Sequence, residues 1–389
     1  MVYQGNSGRF QVGKLDRAGS QFLGETFGDR VTFDATERML YGHDIGSIPS
    51  LIKPFTGRTT PDAVVQPETE EELASLARWA VSSGVALVPR GKATSGYGGA
   101  VPTRGGVVVD FYRLGRVVSV DKEKAEVSVQ PGMTWESLDR ALEAEGLTLR
   151  LYPSSYPSST VGGWLAQGGA GFGSYQFGYF RDNVVSARVV LPGGEVREVG
   201  GADLDMVSEA EGITGLISEV TLKVKALEAV RVAALSCATP AVLQRFIESV
   251  AASEAPVWSV MFINPRMAEM KNRAPATEAQ AGEREDKVML PESYVVVLTF
   301  SERDAPAVLE KLEGLASCSG AVVLSDEIAA HEWENRFKIM LVKRLGPSLV
   351  PAEVIVPVGS TLALKLRSFF TRPAPSTSSA LPEKYSPVA

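Results

Sequence analysis

Pro89-Arg90-Gly91-Lys92-Ala93-Thr94-Ser95-Gly96-Tyr97-Gly98-Gly99 follows an apolar run at residues 85–88, and the fold turns on how this stretch is read. Its glycines let successive backbone N–H groups converge on one point and form a nest for an anion. Thr94 and Ser95 add hydroxyl donors, and Arg90 and Lys92 add positive charge. A pyrophosphate suits such a nest; a Gly-rich surface turn is the competing explanation. Two familiar phosphate loops fail on spacing. Gly91 and Gly96 match the front of a P-loop, but Tyr97 stands where Lys is required. Gly96-Tyr97-Gly98 opens like a Rossmann fingerprint, but Val101 replaces its third Gly. Pro102 and Gly105-Gly106 then block the helix that must come next.

Upstream of the loop, PDAVV and ELASLARWAVSSG predict a strand and a helix. Thr69 and Glu72 make a capping box, and Leu73, Leu76, Ala77 and Ala80 share one apolar face. The short strand at 85–88 is expected to end at Pro89. Residues 1–54 are weakly patterned and read as a lead-in packed on the next domain. Downstream, GGVVVDFYRL, VVSVDKE and AEVSVQPG are three strand-like runs, followed by a helix in TWESLDRALEAEG that Gly146 stops. Two strands turn at Gly193-Gly194, and GLISEVTLKVKAL is a further strand.

Two more segments are rich in small residues. The first holds Pro153, Ser154 and Ser155, then Ser158-Ser159-Thr160-Val161-Gly162-Gly163, then Gly168-Gly169-Ala170-Gly171. Small residues let backbone approach a flat ligand, and the hydroxyls of Ser155, Ser159 and Thr160 can bond phosphate or ring oxygens. A flexible linker is the other reading, against which Val161, Trp164 and Leu165 argue. The second segment, Glu211-Gly212-Ile213-Thr214-Gly215-Leu216-Ile217, reads by itself as an ordinary turn before a strand.

After residue 227 the pattern becomes strand–helix–strand twice over, a ferredoxin-like βαββαβ layer. A polar insert at 267–286 is expected to be mobile, a helix is expected around residues 331–345, and AEVIVPVGS reads as a strand. The Pro/Ser-rich residues 371–389 read as a disordered tail.

Composition excludes several classes. The net charge is -7 with no basic block, which argues against nucleic acid. No stretch of about 18 apolar residues is present to span a bilayer, and the start lacks a signal-peptide core, so cytoplasm is the expectation. Two cysteines, Cys237 and Cys318, and two histidines, His43 and His331, cannot supply an iron–sulfur cluster or a structural zinc site. No metal is expected. Any redox chemistry must come from an organic cofactor or a partner chain.

In order and spacing, the three small-residue segments resemble the FAD-binding domain of the vanillyl-alcohol oxidase/para-cresol methylhydroxylase (PCMH-type) superfamily, in particular its FAD-linked lactate/glycolate dehydrogenase branch. Residues 89–95 resemble that branch's Pro-Arg-Gly-Gly-Gly-Thr-Ser, and residues 159–163 its Ala-Thr-Ile-Gly-Gly. Residues 181–184 match Arg-Asp-Asn-Val, and residues 209–215 match Gly-Ser-Glu-Gly-Thr-Leu-Gly less well. Trp333 and Arg336 match a Trp-x-x-Arg, and residues 353–357 a strand like Asp-Val-Val-Val-Pro. The resemblance spans about residues 40–370.

It implies an α+β fold: a two-subdomain PCMH-type FAD-binding domain at 55–227, then a ferredoxin-like α+β cap at 228–370. It implies FAD bound by Arg90, Gly91, Lys92, Ala93, Thr94, Ser95 and Gly96, by Pro153, Ser154, Ser155, Ser159, Thr160, Gly162, Gly163 and Gly168, and by Glu211, Gly212 and Ile217. The loop lacks the His to which some members tether their flavin, so the FAD is expected to be non-covalent. Arg336 is the candidate for holding a substrate carboxylate. The implied activity is oxidation of a small 2-hydroxy acid by hydride transfer to flavin N5, with electrons passed to an iron–sulfur or other electron-transfer partner. The branch's C-terminal Gly-Asp-Gly-Asn-x-His is missing, so an FAD-binding subunit or module without activity of its own is the alternative.

Overall fold

A computed structural model describes residues 14–46, 59–274, 288–346 and 358. The parts of the expected insert at 275–287, the strand at 352–357 and the tail at 371–389 lie outside the described residues.

The lead-in is more structured than its weak pattern suggests. It forms α1 (Arg17–Phe27), β1 (Val31–Thr32) and α2 (Ala35–Leu40). Asp16 caps α1 by accepting from Gly19 N–H at 2.7 Å, and Leu23 and Phe27 bury themselves in the first core. β1 pairs antiparallel with β2 (Ala63–Val65), so the lead-in adds an edge strand to the sheet.

α3 (Glu70–Ser83) then crosses to β3 (Leu87–Arg90), and β4 (Val107–Asp110) comes after the loop. Thr69 caps α3, and Leu73, Leu76, Ala77 and Ala80 are buried, as the helical spacing predicts. The sheet order is β1-β2-β4-β3, with β2, β4 and β3 parallel. β3 does not stop before Pro89 but runs through it, with Pro89 opposite Val109. Proline is tolerated because β3 is an edge strand, where the missing N–H breaks no ladder.

The three strand-like runs after the loop divide between two sheets. β4 belongs to the first, while β5 (Val117–Asp121) and β6 (Glu126–Val129) open the second. α4 (Trp135–Glu143), β7 (Leu147–Leu149), α5 (Val161–Gln167), α6 (Ser174–Phe177), β8 (Val184–Val190), β9 (Val196–Gly200) and β10 (Leu216–Ala226) complete it. The order is β5-β6-β10-β8-β9, with β7 also on β10, and every pairing is antiparallel. α5 is a helix inside what reads as a Gly/Ser-rich stretch. Its glycines serve packing, since a Cβ on Gly162 would lie 2.5 Å from Pro131 Cβ. Trp135, Trp164 and Phe180 form the aromatic heart of this core.

The third layer comprises β11 (Val230–Cys237), α7 (Pro240–Ala252), β12 (Val257–Ile263), α8 (Pro265–Arg273), β13 (Tyr294–Ser301), α9 (Ala305–Ser319), β14 (Val322–Val323) and α10 (Asp326–Glu334). Its order is β12-β13-β11-β14, all antiparallel. Period-two alternation sends Val296, Leu298 and Phe300 to the face under α7 and α9, and Val295 and Val297 to the face under α8 and α10. α8 occupies the front of the expected polar insert. The helix expected at 331–345 breaks after Glu334, because Asn335 and Arg336 turn their side chains back onto the carbonyls of His331 and Trp333. The rest is a 3-10 helix, Ile339–Leu345. Trp258 joins this layer to the second, donating from Nε1 to the Arg150 carbonyl at 2.9 Å.

Candidate functional site: a glycine-lined cleft between two sheets

A cleft opens where the loop after β3, the start of α5 and the turn before β10 converge. The first sheet delivers Arg90, Gly91, Lys92, Ala93, Thr94 and Ser95 to its wall. The second delivers Ser155, Ser159, Thr160, Gly162, Gly163, Glu211, Gly212 and Ile217. Three segments far apart in sequence therefore meet in one place.

The loop's decisive feature is its unsatisfied backbone. Among the described residues, the amides of Gly91, Lys92, Ala93, Thr94, Ser95 and Gly96 donate no hydrogen bond. Ala93 adopts φ 49°, the left-handed conformation that turns neighbouring amides toward a common point. Five of these six amides, from Gly91 to Ser95, belong to residues that line the cleft, where they are available to an anion's oxygens. By contrast, the amides opening α5 are taken: Val161 donates to Met133, Gly162 to Pro131 and Gly163 to Thr160 Oγ1. The nest therefore lies on the loop and not on the helix.

The two cationic side chains of the loop are employed elsewhere. Arg90 lines the cleft, but its Nη1 donates to the carbonyls of Tyr41, His43 and Ala100 at 3.4, 3.0 and 3.4 Å. Burial lowers its pKa. Lys92 places Nζ 4.4 Å over the Tyr112 ring. On this side the cleft wall presents backbone amides, with Thr94 and Ser95 beside them.

Four expected residues stay out of the wall. Gly96 sits behind the loop, with Gly46 Cα 3.5 Å from where its Cβ would be. Gly168 takes φ 76°, and a Cβ there would meet Glu209 Cγ at 2.1 Å, so this glycine seats the 209–211 turn against α5. Pro153 accepts from the Tyr156 amide within its own turn, and Ser154 is absent from the lining. The wall also contains residues that sequence reading passed over, including Gly99, Phe111, Pro131, Trp164, Gln167 and Gly215. Gly99 already stood in the loop, and Pro131 had a signal in its place directly after a strand. Phe111 and Gln167 had none.

Ile217 faces Val189 on β8, whereas β6 joins β10 only from Val220 onward. Among the described residues, the β6-side edge of β10 at 216–218 is therefore left open beside the cleft.

Arg336 stands apart from this wall. Its guanidinium carbon lies 3.7 Å from the Trp333 ring centroid, 4.2 Å from Phe337 and 5.9 Å from Phe172. Nη1 donates to Trp333 O, and buried Nε has no acceptor among the described residues. Burial pulls its pKa down to about 10 despite the pull of Tyr152, Tyr156 and Asp139 in the other direction. Neither histidine reaches the cleft: His43 contacts the Asp44 carbonyl and His331 the carboxylate of Glu332. Among the described residues no cluster of His, Cys, Asp and Glu is fit to hold a metal, and no helix is long and apolar enough to cross a membrane.

A cleft lined by one mostly parallel sheet and one antiparallel sheet, with a glycine-rich loop of unpaired amides on one wall, suits a flavin dinucleotide, and comparison with known proteins agrees. Residues 61–200 match the FAD binding domain family. The mitochondrial D-lactate dehydrogenase [cytochrome] of Arabidopsis thaliana is 34% identical over 206 residues, covering 51% of this chain and 35% of that protein. A glycolate oxidase subunit of Bacillus subtilis is 27% identical over 321 residues, covering 77% of this chain and 66% of that subunit. A solved alkyldihydroxyacetonephosphate synthase superposes with TM-score 0.73 at 20% identity, covering 86% of this chain and 64% of that one. This chain thus spans between about a third and two thirds of these relatives. Residues 61–200 thus carry an FAD-binding domain, similar to that of the PCMH-type FAD-linked oxidoreductases. Its cofactor is FAD.

Proposed function

We propose that this chain oxidises a small 2-hydroxy acid of the lactate or glycolate type and passes the electrons to an iron–sulfur or other electron-transfer protein. The observation that carries the substrate class is Arg336, a caged guanidinium with donor capacity to spare. Such a fork suits a carboxylate, which it can hold through two parallel hydrogen bonds. The names of the D-lactate dehydrogenase and glycolate oxidase relatives point the same way.

The residues divide the work. The amides of the loop after β3 would hold the diphosphate, Ser155, Ser159 and Thr160 would face the cofactor's polar edges, and the open edge of β10 at Ile217 would meet it through backbone. Bound FAD supplies a two-electron acceptor; the protein supplies position and field. The loop has no His, so the flavin is held without a covalent tether and should leave with acid precipitation. Residues 228–370 act as the cap over this domain at 55–227. The strand order β12-β13-β11-β14, with helices between strands, supports a ferredoxin-like cap.

A second reading has its own support. Neither histidine lines the cleft, so the proton-accepting group for a hydroxy acid would come from another polypeptide or another part of the protein. The chain would then be an FAD-binding subunit that needs a partner.

Anaerobic mixing of the flavin-loaded protein with D-lactate, L-lactate, glycolate and 2-hydroxyglutarate tests both. Bleaching of the flavin absorbance by one of them supports the first reading. Bleaching only after a partner protein is added supports the second. A protein that binds FAD and is bleached by none under either condition refutes the hydroxy-acid assignment.

A further inference from the structure

We propose that the segment 41–46 is a strap that holds the diphosphate loop in its binding shape, and that Arg90 and Asp44 are positioning residues for FAD, not phosphate ligands. The inference rests on the FAD reading above and deepens it. The strap crosses the outer side of the loop and grips it at both ends. At the start, Arg90 reaches out of the loop to the Tyr41 and His43 carbonyls and lies 5.3 Å from the Tyr41 ring centroid. Tyr41 is itself fixed, donating its hydroxyl to Asp110 Oδ2 at 3.0 Å at the end of β4. At the far end, Gly98 N–H donates to Asp44 Oδ2 at 2.7 Å, while the other oxygen of Asp44 accepts from Gly46 N–H at 2.7 Å. The two backbones nearly touch between these grips, since a Cβ on Gly46 would sit 2.5 Å from the Gly96 carbonyl.

This arrangement answers a physical problem. A run of amides left without protein partners gives a Gly-rich loop nothing of its own to hold its shape, and such a loop free of other contacts would relax. Two anchors outside the run keep it open before the ligand arrives, so less ordering is left to be done on binding. Arg90 fits this role better than that of a ligand, because Nη1 has three carbonyl acceptors on the strap side and on the loop itself.

The test uses the full chain and reads FAD binding by flavin fluorescence, with apoprotein melting alongside. Asp44→Ala removes the acceptor of a charge-assisted hydrogen bond and is expected to raise the FAD Kd about tenfold. Asp44→Asn keeps one acceptor oxygen where the carboxylate uses two, and is expected to recover only part of that loss. Asp44 and Arg90 act on one element, so the double variant Asp44→Ala/Arg90→Lys should fall short of the product of the single effects. Apoprotein melting should stay nearly unchanged in Asp44→Ala, because the bond it loses from the loop comes from the exposed Gly98. Multiplying effects would make Arg90 a direct ligand and overturn the proposal, as would wild-type FAD affinity in Asp44→Ala. A lowered apoprotein melting temperature in step with the lost affinity would make the strap a general structural element and also overturn it. Wild-type protein that binds no FAD would sink the cofactor assignment instead, a different and distinguishable outcome.

Discussion

Gly91 is a tight point of the seam between the two halves of the FAD site. A Cβ placed there would lie 2.3 Å from Thr160 Oγ1, while the next contacts, to Thr160 Cβ and Cγ2, are at an ordinary 3.5 Å. Gly91→Ala therefore creates one severe overlap with one atom, and that atom belongs to the opposite wall. Thr160 cannot swing away freely, because Oγ1 accepts from Gly163 N–H and caps α5. Relief must come from parting the walls, at about 1–3 kcal/mol for overpacking of this kind. If that strain falls on the bound geometry, FAD affinity drops by about tenfold to a hundredfold. Gly96→Ala is the control. Its Cβ would meet nothing closer than Gly46 Cα at 3.5 Å, so affinity should change by less than about threefold. Thr160→Ala in the Gly91→Ala background removes the clashing oxygen, so the pair should bind FAD more tightly than Gly91→Ala, less about 1 kcal/mol of stability for the lost cap. Titration of apoprotein with FAD measures all three variants beside the wild type. Equal losses in Gly91→Ala and Gly96→Ala would refute the seam argument, because both glycines would then be needed only as loop residues.

Other parts of the molecule give three further expected outcomes. Hydrogen bonds from Arg188 hold the Glu70 carboxylate below its ordinary value of 4.5, with the Ser218 hydroxyl helping and burial opposing. A depressed folded-state pKa contributes stability that is full above the ordinary value and is lost as pH falls through the lower folded one. Glu70→Gln should therefore melt lower at neutral pH and lose less on acidification below about pH 4.5; parallel melting curves for variant and wild type would disprove it. Trp258→Phe deletes the indole N–H that reaches the Arg150 carbonyl. Urea unfolding should show a loss of about 2 kcal/mol, and an unchanged midpoint would show that this bond does not tie the third layer to the second. Arg336→Lys keeps the charge and loses the planar fork, so KM for the best hydroxy acid should rise by on the order of tenfold with kcat less affected. A fall in kcat at constant KM would place Arg336 outside substrate binding.

Much of this protein was legible without coordinates, and the reason is local. The Thr69 cap of α3, its apolar face, the alternation along β13 and the glycine spacing of residues 91–99 are set by neighbouring residues alone; the other half of the expected capping box is not made, because the Glu72 carboxylate accepts from Glu68 N–H and Arg30 instead. They were enough to indicate a phosphate nest, two strand–helix–strand units and an FAD site. Tertiary contacts decided what neighbours could not. β3 runs through Pro89 because it became an edge strand. Residues 161–167 coil into a helix because close backbone approach to Pro131 demands glycine at 162. Arg90 reads from sequence as a phosphate ligand, yet residues 41–43, far away in the chain, supply carbonyls that claim it. Gly168 looks identical to Gly91 in a string of letters, and only the atoms facing its missing Cβ separate a cleft wall from a buried seam. A side chain's chemistry is written in its residue type, but its partner is chosen by whichever distant segment the fold brings within a few ångströms.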